Sequence, residues 1–321
     1  MTFSLAPELI DKARERLKGH IRLTPVLKSP ALSRHAGAVA CLKLESLQRG
    51  GSFKIRGAMN YVSELAGSGF QGGLVAASAG NHAQGVALAA REHGLKCHIV
   101  MPEGADPEKV AATQENGAEV LLKGANLDES LKVALDMSRD LSLQFVHPFE
   151  HPLIMAGQGT LGLEILEQTE GLGTVVIPVG GGGLAVGVAT ALKRRHPELH
   201  VVGVQAEIAP GMAASFKAGH IEEPPFRVGF ADGISVKRPS ETMLSYLRGV
   251  LDDIVTVSEE SIQSAILMLL QRHRVIAEGA GAAAVAAVME GKVKVYARHV
   301  CCVVSGGNIA LKRLARLIEK A

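Results

Sequence analysis

Short runs of β-branched and other apolar residues alternate with Ala-rich stretches of helical period along most of this chain, and few folds accommodate that rhythm. Strands are predicted at residues 41–47, 74–77, 97–101, 119–122, 144–147, 174–179, 201–205, 254–257 and 299–304. Helical patterns lie between most of them, at 82–93, 107–116, 153–168, 184–195, 258–272 and 278–289. An earlier helix is predicted over 7–18, where Pro7 takes the first position, Leu9, Ile10, Ala13 and Leu17 share a face, and Gly19 ends it. A last helix is predicted over 308–320. Strands that are apolar throughout and alternate with helices belong to parallel sheets covered on both faces. There are too many for one comfortable open sheet, so the expectation is an α/β protein of two αβα lobes with mostly parallel sheets.

Three of the predicted strands run directly into Gly-rich turns: Ser78-Ala79-Gly80-Asn81-His82, then Gly180-Gly181-Gly182-Gly183-Leu184, then Ser305-Gly306-Gly307-Asn308. In open α/β sheets ligands bind beyond the carboxyl ends of the strands, so these turns are placed to converge on one cleft between the lobes. The four glycines lead into a helix, whose first N–H groups are unpaired and lie at the positive end of its dipole. Glycines let an anion approach that backbone closely. A phosphate fits there, and so does a dinucleotide: Gly180, Gly182 and Ala185 satisfy a permissive fingerprint, with Glu207 at about the right distance for a ribose. Both readings stay open on this motif alone.

A fourth segment, Gly50-Gly51-Ser52-Phe53-Lys54-Ile55-Arg56-Gly57-Ala58, sets a lysine beside an aromatic ring between glycines. Burial in such a pocket disfavours the charged ammonium, and a neutral amine is a nucleophile able to join a carbonyl cofactor. Backbone N–H groups of the turn at Ser78 suit a substrate carboxylate, and the Asn81 amide suits a phenolic or carbonyl oxygen. Ser78, Asn81 and Ser305 are also ordinary helix N-cap residues, and His82 reads equally well as a packing residue. A hydroxyl at Ser305 can meet a neutral heterocyclic nitrogen, where a carboxylate would keep that nitrogen protonated. One buried lysine with several backbone anion cradles is the equipment for an aldehyde cofactor that carries a phosphate.

Composition narrows the alternatives. Apolar residues make up 47% of the 321 residues and charged ones 21%, which describes a globular chain with an ample core. The formal charge is +2 with no Lys/Arg block, so no nucleic-acid footprint is expected. No apolar run approaches the ~18 residues of a membrane span. Glu8, Asp11, Lys12 and Arg14 rule against a signal peptide, so a cytoplasmic protein is expected. Cys41, Cys97, Cys301 and Cys302 lack metal-ligand spacing, and neither a disulfide framework nor a metal site is predicted.

Taken together, the motifs resemble those of the fold-type II pyridoxal-phosphate enzymes, in the threonine/serine dehydratase and serine racemase branch. The pieces occur in that family's order across nearly the whole chain: Thr24-Pro25-Val26, Lys43-Leu44-Glu45, residues 51–58, residues 78–85, Ala156-Gly157-Gln158-Gly159-Thr160, the four glycines, Ala231-Asp232-Gly233, Glu278-Gly279-Ala280-Gly281, and residues 305–309. The likeness is greatest to the short catabolic threonine dehydratases. It implies a tryptophan synthase β-like fold, with a large domain of residues 1–52 and 149–321, a small one of residues 53–148, and pyridoxal 5′-phosphate in the interlobe cleft. It implies that Lys54 is joined to the cofactor, that Phe53 packs beside it, and that Asn81 bonds its phenolic oxygen. Gly180, Gly181, Gly182, Gly183 and Leu184 then hold the phosphate, Ser305 meets the ring nitrogen, and Glu278 lies near the ring. Ser78, Ala79, Gly80, Asn81 and His82 receive the substrate carboxylate.

The activity so implied is β-elimination, the dehydration and deamination of L-threonine or L-serine to 2-oxobutyrate or pyruvate plus ammonia, by a homo-oligomer (dimer or tetramer). The freed amine of Lys54 takes the Cα proton as general base. Alternatives are a serine racemase, a dehydratase of a modified β-hydroxy amino acid such as 3-hydroxyaspartate, and, more distantly, an NAD-dependent dehydrogenase or a non-catalytic binding module. Several positions depart from the family pattern. Gly50 stands where relatives have Thr, removing a hydroxyl expected near the pocket, and Ala79 stands where serine racemases carry a second serine. Gln205, Ala209 and Gly211 occupy positions where metal-activated racemases have acids. The short stretch after Ser305 leads to the expectation that no C-terminal regulatory domain, and hence no feedback inhibition, is present.

Overall fold

The computed structural model describes residues 4–320; the outermost residues of the predicted large domain, 1–3 and 321, lie outside the described residues. It contains ten strands: β1 (Val26–Lys28), β2 (Val39–Leu44), β3 (Leu74–Ala77), β4 (Cys97–Met101), β5 (Glu119–Leu122), β6 (Gln144–Phe145), β7 (Leu172–Pro178), β8 (His200–Ala206), β9 (Asp253–Val257) and β10 (His299–Val304). Six form one sheet in the order β1-β2-β10-β7-β8-β9, and four form a second in the order β5-β4-β3-β6. All pairs are parallel except β1 with β2. The expected α/β architecture with two mostly parallel sheets is therefore the observed one.

Burial explains why the strands read so clearly. The last five residues of β2, of β10 and the last six of β7 are all buried, because helices cover both faces of the large sheet. One apolar cluster lies between that sheet and the helices Pro152–Gln168 and Gly183–Arg195. Another lies on its opposite face, against the Ala-rich helix Gly279–Met289. The smaller sheet packs on the helices Lys54–Gly67 and Asn81–Glu92 through a third. All four cysteines are buried and free, and desolvation pushes the Cys97 and Cys301 thiols up to about 12.

Some boundaries differ from the sequence reading. β1 was not anticipated: it is three residues long, half-buried to exposed, and carries no alternation that could signal it. The helix predicted from 258 to 272 is α-helical over Glu259–Met268 and finishes in a wider π turn, Leu269–His273, before Arg274 adopts left-handed backbone. The final helix begins at Leu311 rather than at 308. Ser305 is therefore not a helix N-cap, because residues 305–310 form an extended turn instead.

Candidate active site

Strand order brings the predicted motifs together. β10 lies between β2 and β7, all parallel, so the segments leaving their carboxyl ends are neighbours. β2 leads through 45–51 to Ser52, which pairs with Gly306 in an isolated antiparallel bridge. Phe53 N–H donates to the Ser305 carbonyl at 3.1 Å, and Gly307 N–H donates to that of Gly51 at 2.9 Å. Lys54, the first residue of its helix, is thus held against the turn that ends β10.

Lys54 Nζ donates to the Pro148 carbonyl at 2.8 Å and sits 5.3 Å from the centre of the Phe53 ring. Desolvation lowers its pKa from the ordinary lysine value to about 8, a shift that the negative field of Glu278 only partly offsets. A lysine at about 8 is roughly one-tenth neutral at pH 7, far more than a solvated lysine. The side chain keeps some accessible surface while its amine is desolvated.

The acceptor of that bond also belongs to the glycine turn. Phe149, next to Pro148, packs so closely on the 180–183 turn that a Cβ at Gly181 would overlap its ring. Among the described residues, no acceptor meets the backbone N–H groups of Gly180, Gly181, Gly182, Gly183, Leu184 or Ala185. Six successive donors at the start of a 13-residue helix fit a phosphate. The donor set, the neutral-prone lysine and the buried Ser305 hydroxyl together suit pyridoxal phosphate. Ser305 is 3% exposed and has only a long 3.4 Å contact to the Ala280 carbonyl.

Asn81 opens its helix after β3 and reaches across to the larger sheet. Its Nδ2 donates to Glu278 Oε1 at 2.6 Å, while its Oδ1 accepts from Asn308 Nδ2 at 2.7 Å. Burial raises the Glu278 pKa to about 7, assisted by the nearby Asp232 charge and opposed by the Asn81 hydrogen bond. The helix after Gly80 has no side-chain cap, so Ser78 and Asn81 do not serve as N-caps; the Ser78 hydroxyl accepts from Gly80 N–H at 3.2 Å. Ala79 and Gly80 lie in the same turn, and nothing stands within 4 Å of a Cβ placed at Gly80. The His82 imidazole packs beneath the turn, so what His82 offers to the predicted substrate turn is its backbone N–H. It is 4% exposed, its Nε2 lies 2.9 Å from the Val146 carbonyl, and burial brings its pKa down to about 3. It is a neutral packing residue under the turn, the blander of the two readings its position allowed.

Other predicted features resolve in the same way. Glu207 is half-exposed and lies 3.7 Å from Lys292, an ordinary surface ion pair that offers the dinucleotide reading no support. Gln205 Oε1 accepts from Ala213 N–H at 2.8 Å inside the fold. Gly50 has φ +69°, a backbone conformation that favours glycine, and a Cβ there would meet nothing within 4 Å.

Two groups at the site escaped the sequence reading. Pro148 and Phe149 follow β6, whose carboxyl end is marked only by the sequence His147-Pro148; His147 Nδ1 accepts from the N–H groups of Phe149 and Glu150 at 3.2 and 2.8 Å and shapes that loop. The second group is a buried ion network behind Lys54. Arg56 pairs with Glu45 and Glu164, and Lys43 pairs with Glu164, with Arg56, Glu45 and Lys43 all fully buried.

Comparison with known proteins agrees with this geometry. A family model described as pyridoxal-phosphate dependent enzyme matches residues 17–306. The chain is 45% identical over 313 residues to an L-threonine ammonia-lyase of Thermotoga maritima, covering 98% of this chain and 78% of that one. It is 43% identical over 314 residues to a catabolic L-threonine dehydratase of Staphylococcus aureus, covering 97% and 91%. Its fold superposes on that of maize serine racemase with a TM-score of 0.93 at 30% identity, covering 99% and 98%. The chain belongs to the pyridoxal-phosphate-dependent enzymes, with the two-sheet architecture of fold type II.

Proposed function

We propose that this enzyme catalyses β-elimination from L-threonine or L-serine, releasing ammonia and 2-oxobutyrate or pyruvate. The observation that carries the reading is Lys54, an amine desolvated to a pKa of about 8 and hydrogen-bonded to Pro148, the residue before the Phe149 ring that packs on the glycine turn. Names of the relatives, which include threonine ammonia-lyase and threonine dehydratase, support the substrate class.

In this reading Lys54 is the residue joined to the cofactor, and residues 180–184 hold its phosphate through backbone N–H groups. Phe53 packs beside it, Ser305 meets its ring nitrogen, Asn81 offers its remaining Nδ2–H to the phenolic oxygen, and Glu278 stands behind Asn81. The cofactor supplies an electron sink for the pair left when the substrate Cα–H bond breaks. Lys54 Nζ, once free and neutral, accepts that Cα proton. The turn from Ser78 to His82 binds the substrate carboxylate through its backbone N–H groups and aligns the Cα–H bond with the amine. A hydroxyl at Ser305, where a carboxylate would hold a proton on the ring nitrogen, favours loss of the β-hydroxyl over slower competing outcomes.

Residues 53–148 form the small domain of this reading and residues 1–52 and 149–321 the large one. The buried, unpaired thiols suit a reducing cytoplasm. Exposed Leu23, Leu27 and Leu47, on and beside the edge strand β1, suit assembly into a dimer or tetramer. Among the described residues no helix is long and apolar enough to cross a membrane.

Racemisation is the second reading, favoured by the likeness to maize serine racemase. Ala79 presents no hydroxyl to return a proton on the opposite face, which places elimination first. A single assay separates the two: the purified enzyme is given L-threonine, L-serine and L-threo-3-hydroxyaspartate, and 2-oxo acid, ammonia and D-amino acid are each quantified. Stoichiometric ammonia and 2-oxo acid from threonine or serine support elimination. D-Serine without ammonia would replace it with racemisation, and turnover of hydroxyaspartate alone would move the substrate class.

A further inference from the structure

We propose that Asn308 is a positioning residue for the amide of Asn81, fixing which of its two ends faces the cofactor. This inference rests on the reading that Asn81 addresses the cofactor. Asn308 Nδ2 donates both to the Asn81 Oδ1 at 2.7 Å and to the Gly50 carbonyl at 2.8 Å. An amide nitrogen carries two hydrogens, so this pair of acceptors uses both. With its oxygen engaged by Asn308, Asn81 must turn its Nδ2 the other way, where Glu278 Oε1 accepts at 2.6 Å. One N–H of Asn81 is then left for a ligand oxygen.

Were the Asn81 amide rotated by half a turn, its NH2 would face the donor of Asn308 and its oxygen would face the Glu278 carboxylate. The first contact would be repulsive, the second would be so wherever the carboxyl is ionised, and the end offered to the cofactor would be an acceptor. Glu278 alone is a weak guide, because a carboxyl that retains its proton to about 7 can donate as well as accept. Asn308 can only donate through the nitrogen it presents here, since its position is set by the Gly50 carbonyl as well.

The seat for this side chain is built into the backbone. Gly51 has φ +71°, and a Cβ at Gly51 would overlap the Asn308 amide. Asn308 leaves the end of β10 in the larger sheet, whereas Asn81 leaves the end of β3 in the smaller one. The hydrogen bond between them therefore crosses from one sheet's ligand edge to the other's, and fixes Asn81 relative to the Lys54 segment.

The test is a double-mutant cycle read by cofactor affinity. Apo forms of wild type, N81A, N308A and N81A/N308A are titrated with pyridoxal phosphate, and the visible absorption of each loaded protein is followed against pH. Loss of one oriented neutral hydrogen bond corresponds to about fivefold weaker binding, so N308A is expected to weaken cofactor binding by about that factor and to shift the pH midpoint of the band. In the N81A background the same substitution is expected to change neither. If N308A keeps its full effect without Asn81, it acts through the Gly50 turn and the proposal is overturned; wild-type affinity and spectrum in N308A overturn it too. Should N308A fail to fold, N308D, close in size and unable to donate, is put through the same cycle with the same criteria. An N81A protein that matches wild type removes the reading of Asn81 itself and this inference with it, whereas an impaired N81A beside an unaffected N308A removes only the inference.

Discussion

Arg56 and Glu45 form a two-point ion pair with no solvent exposure on either side chain: Nε meets Oε2 at 2.7 Å and Nη2 meets Oε1 at 2.9 Å. The same guanidinium reaches Glu164 on the helix Pro152–Gln168 at 2.7 and 2.9 Å. Arg56 lies two residues after Lys54, so this network anchors the turn of helix that carries the reactive amine. Two cations and two carboxylates balance; the Thr24 hydroxyl donates to Glu45 Oε1, and Thr160 Oγ1 accepts from Arg56 Nη1.

Removing Arg56 leaves two carboxylates buried without their main partner. Breaking a buried pair in this way costs about 3–5 kcal/mol. Arg56→Met is expected to lose that much stability in urea unfolding. Arg56→Lys is expected to recover only part of it, because an ammonium cannot reproduce the planar fork. Equal stability of Arg56→Met and wild type would show that the network contributes nothing net.

Gly181 is the position where a single methyl group does most harm to the phosphate cradle. A Cβ there overlaps the Phe149 ring, and Phe149 is attached to the residue that accepts from Lys54. Gly181→Ala is expected to cost about 1–3 kcal/mol through overpacking and to weaken cofactor binding, measured as the dissociation constant of the apo-protein. A variant that binds pyridoxal phosphate as tightly as wild type would remove the turn from the cradle.

Glu278 makes the stability of the apo-protein depend on pH in a defined direction. Its carboxyl holds a proton to about 7 in the fold, above its ordinary value of 4.5. The folded protein therefore binds more protons than the unfolded chain between those values, and the contribution of this group falls as pH rises from about 4.5 to about 7. Thermal melting across that interval is expected to show the decline, and Glu278→Gln to flatten it. A Glu278→Gln protein with an unchanged slope would assign the decline to other groups.

Gly50 is predicted to be intolerant for conformational reasons. Its φ of +69° lies in the left-handed region, where a β-branched residue is strained by about 1–2 kcal/mol even with open space around it. Gly50→Thr is expected to lower stability by that amount in the same unfolding assay. No loss would mean that the turn relaxes to accept a side chain.

Much of the site was legible because its parts obey local rules. β3, β7 and β10 announce themselves as buried parallel strands, each glycine turn follows at a carboxyl end, and strand order does the rest. What stayed hidden depends on pairs distant in sequence. Asn308 and Asn81 are 227 residues apart and Arg56 and Glu164 are 108 apart, so no period or spacing relates them. Pro148 contributes a backbone carbonyl, which carries no residue-type signal. Nor does adjacency show where the His82 side chain lies: a helix advances about 100° per residue, and that rotation takes its ring beneath the turn to Val146.

The most direct test concerns the covalent bond at Lys54. The enzyme loaded with pyridoxal phosphate is reduced with borohydride, digested, and searched by mass spectrometry for the peptide that retains the pyridoxyl group. One modified site, Lys54, is expected, with no visible band and no 2-oxo acid release from a Lys54→Ala protein. A pyridoxyl group found on another lysine, or a Lys54→Ala protein that keeps both band and turnover, would contradict it.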